Sequence, residues 1–256
     1  MFKKLLASVG IGGASVETVL DNPDAMLGEP LTGSMHVKGG SVDQEIAEVA
    51  VEVMTRVLVE TDNTEVKKDF VVSKVRLANG FKLPAGSSHT LPFELDLPLH
   101  TPVALGREHA PAWLRTRLDI PMAADATDAD ALAIRPAPVQ VDALNAMISL
   151  GFGLYKSDVE HRPRWHGGHG FVQEFEFRPV VSGGRRLYDE VELVFEPAGD
   201  GFDLLLQLDR SSRSLSGFLA EATGMDESWH RLHLDEGLLG PGEDAIARAL
   251  KQVLFR

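Results

Sequence analysis

Three imidazoles fall within nine residues in the segment His161-Arg-Pro-Arg-Trp-His166-Gly-Gly-His169-Gly170, the densest potential chemistry in the sequence. Neutral histidine nitrogens suit zinc, nickel and copper, and glycines let a loop fold around an ion. The competing reading is a connection between two strands, with Arg162, Arg164 and Trp165 packing on its surface. No His-Glu-x-x-His helix or comparable metalloenzyme signature accompanies the three histidines. The favoured reading therefore assigns no metal and no cofactor. A metal-dependent enzyme using His161, His166 and His169 stands as the minor alternative.

Other chemistries find less support. His230 and His233 lie in Trp229-His-Arg-Leu-His-Leu, which reads as a strand, where residues three apart face opposite sides. Nucleophilic hydrolysis by serine wants a sharp Gly-x-Ser-x-Gly elbow, and the sequence offers only small-residue turns around Ser15 and around Ser87-Ser88-His89. Gly10-Ile-Gly12-Gly13 lacks the strand and spacing of a dinucleotide fingerprint, and no Gly-Lys-Ser/Thr follows it. Carboxylates pair as Glu174 with Glu176, Glu190 with Glu192, and Asp203 with Asp209. Each pair alternates with apolar residues, so all are expected on the solvated faces of strands. No catalytic residue is assigned, and the chain is expected not to be an enzyme.

The elements that must position these residues read mostly as strands. In Ile46 to Glu60, valines at 49, 51, 53, 57 and 59 alternate with Glu48, Glu52, Arg56 and Glu60. Strand side chains alternate between faces, and β-branched residues favour strand over helix. The same period returns in Leu91, Phe93, Leu95 and Leu97, in Leu114, Thr116, Leu118 and Ile120, and after residue 170 in Phe171, Phe175 and Phe177. It recurs in Val191, Leu193 and Phe195 and in Phe202, Leu204, Leu206 and Leu208. Turn pairs such as Gly39-Gly40, Asn79-Gly80 and Gly183-Gly184 separate the runs. Many short strands between frequent turns predict sandwiches.

Helical spacing occurs in three places. Phe2, Leu5, Leu6 and Val9 mark one face of a short N-terminal helix at residues 1–13. Val141, Leu144, Met147 and Ile148 predict a second helix, and Ala245, Ile246, Ala249, Leu250 and Val253 a third within 240–256. Between Asp125 and Pro138 no apolar period is visible. This gives an N-terminal sandwich at 14–125, a linker at 126–138 and a second sandwich at 139–239.

Composition limits the partners. The 256 residues are 44% apolar and 25% charged, the balance of a globular chain, and there is no cysteine to supply a disulfide, a thiolate metal site or a nucleophile. No window approaches the roughly 18 apolar residues a spanning helix needs. Net charge is −13 and both halves are acidic, which argues against nucleic acid. Lys3 and Lys4 before an apolar stretch look faintly like a signal peptide, but glycines at 10, 12 and 13 interrupt the run, so the segment is read as retained and the protein as cytoplasmic.

The opening Phe2-Lys-Lys-Leu-Leu-Ala-Ser-Val-Gly-Ile-Gly-Gly, then Pro-Leu-Thr-Gly33 with Val37-Lys-Gly-Gly40, resembles the sporulation-control proteins of bacilli, the stage-zero M type. The likeness continues through Leu83-Pro-Ala-Gly-Ser-Ser-His-Thr-Leu-Pro-Phe-Glu-Leu, Leu118-Asp-Ile-Pro-Met, Phe175-Glu-Phe-Arg-Pro179 and Asp189-Glu-Val-Glu-Leu-Val-Phe195. The resemblance implies an all-β chain of two tandem arrestin-like, immunoglobulin-like β-sandwich domains with short N- and C-terminal helices. It also implies a regulatory or scaffolding role tied to sporulation control, and it carries over no catalytic residues.

Function is accordingly expected through protein–protein contacts, with homodimerisation and contact at a membrane surface as lesser possibilities. The apolar stripe Phe2, Leu5, Leu6 and Val9 is the expected interaction element, unless it packs on the protein's own body. A carbohydrate-type ligand-binding sandwich is the second reading, and exposed Trp113, Trp165 and Trp229 would be its sign.

Overall fold

A computed structural model describes residues 12–61, 64–105, 111–121, 123–163, 165, 168–180, 188–209 and 229–255. The chain is mostly β, as its alternating patterns predict, with strands β1 (Ser15–Leu20), β2 (Leu31–Lys38), β3 (Gln44–Thr61), β4 (Thr64–Leu83), β5 (Ser88–Leu95), β6 (Ala112–Asp119), β7 (Ala126–Leu132), β8 (Phe152–His161), β9 (Phe171–Pro179), β10 (Glu190–Ala198), β11 (Gly201–Asp209) and β12 (Trp229–Leu234). Two helices complete the description: α1 (Pro138–Ser149) and α2 (Glu243–Leu254). Among the described residues no helix is long and apolar enough to cross a membrane. The N-terminal stripe of Phe2, Leu5, Leu6 and Val9 lies outside the described residues.

The chain divides into two compact units. The first takes in described residues through Arg56 and from Lys68 to Arg135. One of its sheets has the order β1-β2-β5; the other sets β3 between β6 and β4, with β7 beyond β6. Val49, Val51 and Val53 of β3 and Leu114 and Leu118 of β6 are buried, as are Leu31, Met35 and Val37 of β2 and Phe93 and Leu95 of β5. This is the outcome that period-two hydropathy dictates.

Two features of this unit differ from the sequence reading. Residues 126–138 are not a bare linker: Ala126–Leu132 form β7, paired antiparallel to β6 from Ala126↔Leu118 to Leu132↔Ala112. The half-buried positions of β7 are Ala126, Asp128 and Asp130, and the exposed ones Thr127, Ala129 and Ala131, so its polarity runs opposite to the usual alternation. The Asp128 carboxylate accepts the backbone N–H of Thr18 at 3.0 Å, which ties β7 to β1 and explains an acid on that side. Glu52, expected on a wet face, is 5% exposed. Arg115, its direct partner across the β3–β6 ladder, places Nη2 2.6 Å from Glu52 Oε2, and Lys74 stands 3.6 Å from Oε1. Ion pairing to long side chains whose stems cover the sheet allows the carboxylate to be buried.

The second unit comprises residues 57–67 and 136–255 as described. Its sheet runs β8-β9-β10-β11-β12, antiparallel throughout, and Leu58 of β3 adds a parallel bridge to Glu160 of β8. Phe175, Phe177, Val191, Leu193, Phe202, Leu204 and Leu206 fill one side of that sheet and are buried. Phe195 meets Phe175 and Phe202 edge to face at 5.6 and 5.9 Å, a favoured aromatic geometry. Helices α1 and α2 pack on one another, α1 beside β8 and α2 beside β12. Proline at the first turn starts α1, where a missing N–H costs nothing, and Ile246, Leu250 and Leu254 form the buried stripe of α2. Among the described residues one sheet and two helices therefore make up this unit. Strand alternation predicts that each strand has an apolar side, but says nothing about what covers it.

Candidate functional site

The other side of the β8–β12 sheet is unusually mixed for a solvent face. Residues on one side of a strand recur every second position, and register places Glu192 opposite Glu176 and Gln207, Val194 opposite Glu174 and Leu205, and Glu196 opposite Asp203. Trp229 is opposite Gln207, and His233 opposite Asp203. The middle of this face is apolar: Val172, Val194 and Leu205 are buried, with Trp165 and Trp229 packed against them. The two indoles meet edge to face, centroids 5.7 Å apart and planes 80° apart.

Trp165 arrives from the β8–β9 connection, the histidine-bearing segment. That connection is closed by the Arg162 N–H donating to the Gly170 carbonyl at 2.9 Å. Gly168 and Gly170 adopt φ of +71° and +81°, left-handed values that favour glycine. The Arg162 guanidinium reaches back to Glu174 Oε1 at 2.8 Å, pinning the base of the segment to β9. His161 and His169 belong to the described residues, and His166 lies outside them. Among the described residues no three His, Asp or Glu side chains are grouped to hold a metal ion. Burial pushes the His169 imidazole below its usual pKa, against the pull of the Glu196 carboxylate nearby.

The carboxylates expected to be solvated are partly interior, which corrects the sequence reading. Glu176, Glu196 and Asp203 are 5%, 6% and 7% exposed. Burial, reinforced by Glu174, pushes Glu160 up to about 7; burial with Glu174 and Glu190 pushes Glu192 to about 7 as well. Desolvation and like-charge proximity both favour the neutral acid, which accounts for these directions. At the β10–β12 end Arg231 bridges Glu196, 2.7 Å from its Oε2, and Asp203. His233 pairs with the same Asp203, whose hydrogen bond raises the imidazole pKa. Burial alone would raise the Asp203 pKa, but hydrogen bonds from His233 and Arg231 hold it below the usual value.

His233 is thus on the tryptophan side, whereas His230 pairs with Leu206 in the register of the opposite side, as their odd spacing predicts. Trp113 is elsewhere, on β6, with the Arg56 guanidinium 5.3 Å over its ring. Neither the pairing of Trp165 with Trp229 nor the buried Glu196 was readable from spacing, since both depend on strand register across three hairpins.

Comparison with known proteins agrees with this architecture. The sporulation-control protein spo0M of Bacillus subtilis (strain 168) is 34% identical over 253 residues, 99% of this chain and 97% of that protein. The crystal structure of Spo0M from Bacillus subtilis superposes with a TM-score of 0.83 at 31% identity, covering 95% of this chain and 98% of that one. The sequence model of the family described as SpoOM protein matches residues 2–212, and on that match and on the 34% identity with the Bacillus subtilis protein over nearly the full length the chain belongs to this family.

Proposed function

We propose that this protein is a cytoplasmic, non-enzymatic regulatory adaptor in a process of the kind its relative's name describes, sporulation control, and that it works by protein contacts. The observation that carries the reading is the tryptophan-bearing side of the β8–β12 sheet. An aromatic pair over an apolar patch, fringed by acids and arginines, has the make-up of a recognition surface: aromatic and arginine anchors at the centre and a polar rim. The charge pairs here fix side chains in place, and a fixed surface binds with less ordering cost. The apolar stripe Phe2, Leu5, Leu6 and Val9 is a second contact element in this proposal.

A photo-crosslinking amino acid placed at Gln207, on this face, in the full chain and in the native cell tests the reading, with Val71 of β4, which is 48% exposed, as control position. The expected result is a discrete adduct with one defined protein from position 207 and none from 71. Equal, diffuse labelling from both positions would remove the support for this face.

A carbohydrate-type ligand is the second reading, favoured by the Trp165–Trp229 contact alone.

A further inference from the structure

Two carboxylate oxygens on this face, Glu176 Oε1 and Glu196 Oε1, are buried without a hydrogen bond, and the first has the Arg178 guanidinium 2.6 Å away. Glu196 is 6% exposed; its Oε2 is held by Arg231 at 2.7 Å, but its Oε1 is buried with no hydrogen-bond partner. A buried carboxylate oxygen without a donor costs on the order of 1 to 3 kcal/mol, so its persistence calls for a ligand that supplies one. Charge points the same way. Glu196 and Asp203 face Arg231 and His233, and Glu160, Glu174, Glu176 and Glu192 lie on the same side of the sheet, so the surround is rich in acids.

The patch that carries the tryptophans adjoins Glu196 along β10. Glu196 follows Val194 by two residues on the same side of β10, and Val194 is part of the patch on which Trp165 and Trp229 pack. The Glu196 carboxylate also acts on His169, in the connection that carries Trp165. Two indoles at 80° make an inside corner rather than a flat platform. A corner suits a compact cationic head, which gains from both ring faces, better than the broad face of a sugar ring.

Resting on the protein-contact reading above, we propose that Trp165, Trp229 and Glu196 form a receptor for one lysine or arginine side chain of a partner's basic segment. The cation supplies the donor that Glu196 Oε1 lacks. The indoles enclose its head and the methylenes of its stem.

The sequence has three tryptophans, so the indole N–H signals in a nitrogen–proton correlation spectrum of the full chain report directly. Hexalysine, hexaglutamate and cellohexaose are titrated separately, with signals assigned by Trp→Phe variants. The proposal expects saturable shifts of the Trp165 and Trp229 signals with hexalysine, a still Trp113 signal, and no response to hexaglutamate. Glu196→Gln should weaken hexalysine binding by about tenfold, the loss of one charged hydrogen bond. Because Glu196→Gln also disturbs Arg231, Trp165→Ala serves as the second variant and should weaken binding while the dispersion of all other signals stays native. Unmoved indoles at millimolar hexalysine, or equal binding by both variants and the parent, would overturn the proposal, as would shifts with cellohexaose alone. If hexalysine fails while position 207 still crosslinks a defined protein, the cation receptor falls and the adaptor reading stands. If both fail, the adaptor reading falls too.

Discussion

Arg115 of β6 sits directly across the ladder from Glu52 of β3 and places a guanidinium nitrogen 2.6 Å from a carboxylate that is 5% exposed. Removing one member of a buried pair strands the other, which costs more than the pair contributes intact. Arg115→Ala should therefore destabilise by roughly 2 to 3 kcal/mol, tempered by Lys74 nearby. Arg115→Met with Glu52→Leu should recover most of the loss. Denaturant midpoints at constant slope check both; an unaffected Arg115→Ala midpoint would show the pair to be dispensable.

Gly39 is constrained by space rather than by φ. A Cβ there would lie 2.1 Å from the Pro84 carbonyl oxygen, a backbone atom in the β4–β5 turn. Gly39→Ala should lower stability by about 1 to 3 kcal/mol, the usual cost of forced overpacking. In a chain of this size that is a fall of several degrees in Tm, on the order of 2 to 4 °C per kcal/mol. Gly80→Ala is the comparison, since a Cβ there meets nothing within 4 Å although φ is +37°; thermal melts should rank it the milder of the two.

The acid side of the β8–β12 sheet sets a pH dependence. Glu160 and Glu192 titrate near 7 in the folded chain against an ordinary value of 4.5. Between those values the native state holds more protons than the unfolded state, so stability falls as pH rises through that window. His233, raised by Asp203, acts in the same direction, because its stabilising charge is lost as pH rises through its folded pKa. Melting temperatures should decline from pH 5 to pH 8, and Glu160→Gln with Glu192→Gln should flatten the decline. A profile unchanged by that double variant would remove these two acids as its source.

For the histidine connection the expected metal content is far below one ion per chain after purification without chelator, measured by elemental analysis. His161→Ala with His169→Ala should not alter it. Stoichiometric metal lost on that substitution would reopen the enzyme alternative.

The strands were legible because their alternation is sharp where one side is buried: Val49 to Val59 and Leu114 to Leu118 sit where their period places them. β7 was not, because Asp128 turns inward to take the Thr18 N–H and alanines turn outward, so its hydropathy carries no period. Glu52, Glu176 and Asp203 looked solvated because alternation reports which side a residue is on, and an ion pair on that side can still shut out water. Trp165 and Trp229 were each visible as candidate ligand-binding aromatics. Their contact spans 64 positions and follows from the order of β8 to β12, which no local pattern encodes.

The N-terminal stripe predicts a separable effect. As a contact element rather than part of the core, the stripe Phe2, Leu5, Leu6 and Val9 changed to serine should leave the melting temperature within a degree or two of the parent and reduce partner recovery. A collapse in stability would assign the stripe to the protein's own core instead.

The proposed mode of action is contact through the tryptophan-bearing side of the second unit. The direct measurement is quantitative affinity capture from native lysate with the full chain and with Trp165→Ala/Trp229→Ala, after circular dichroism and melting establish that the variant is folded. A defined set of proteins should be recovered by the parent and depleted at least several-fold by the folded variant. Identical recovery by both chains would contradict that mode of action.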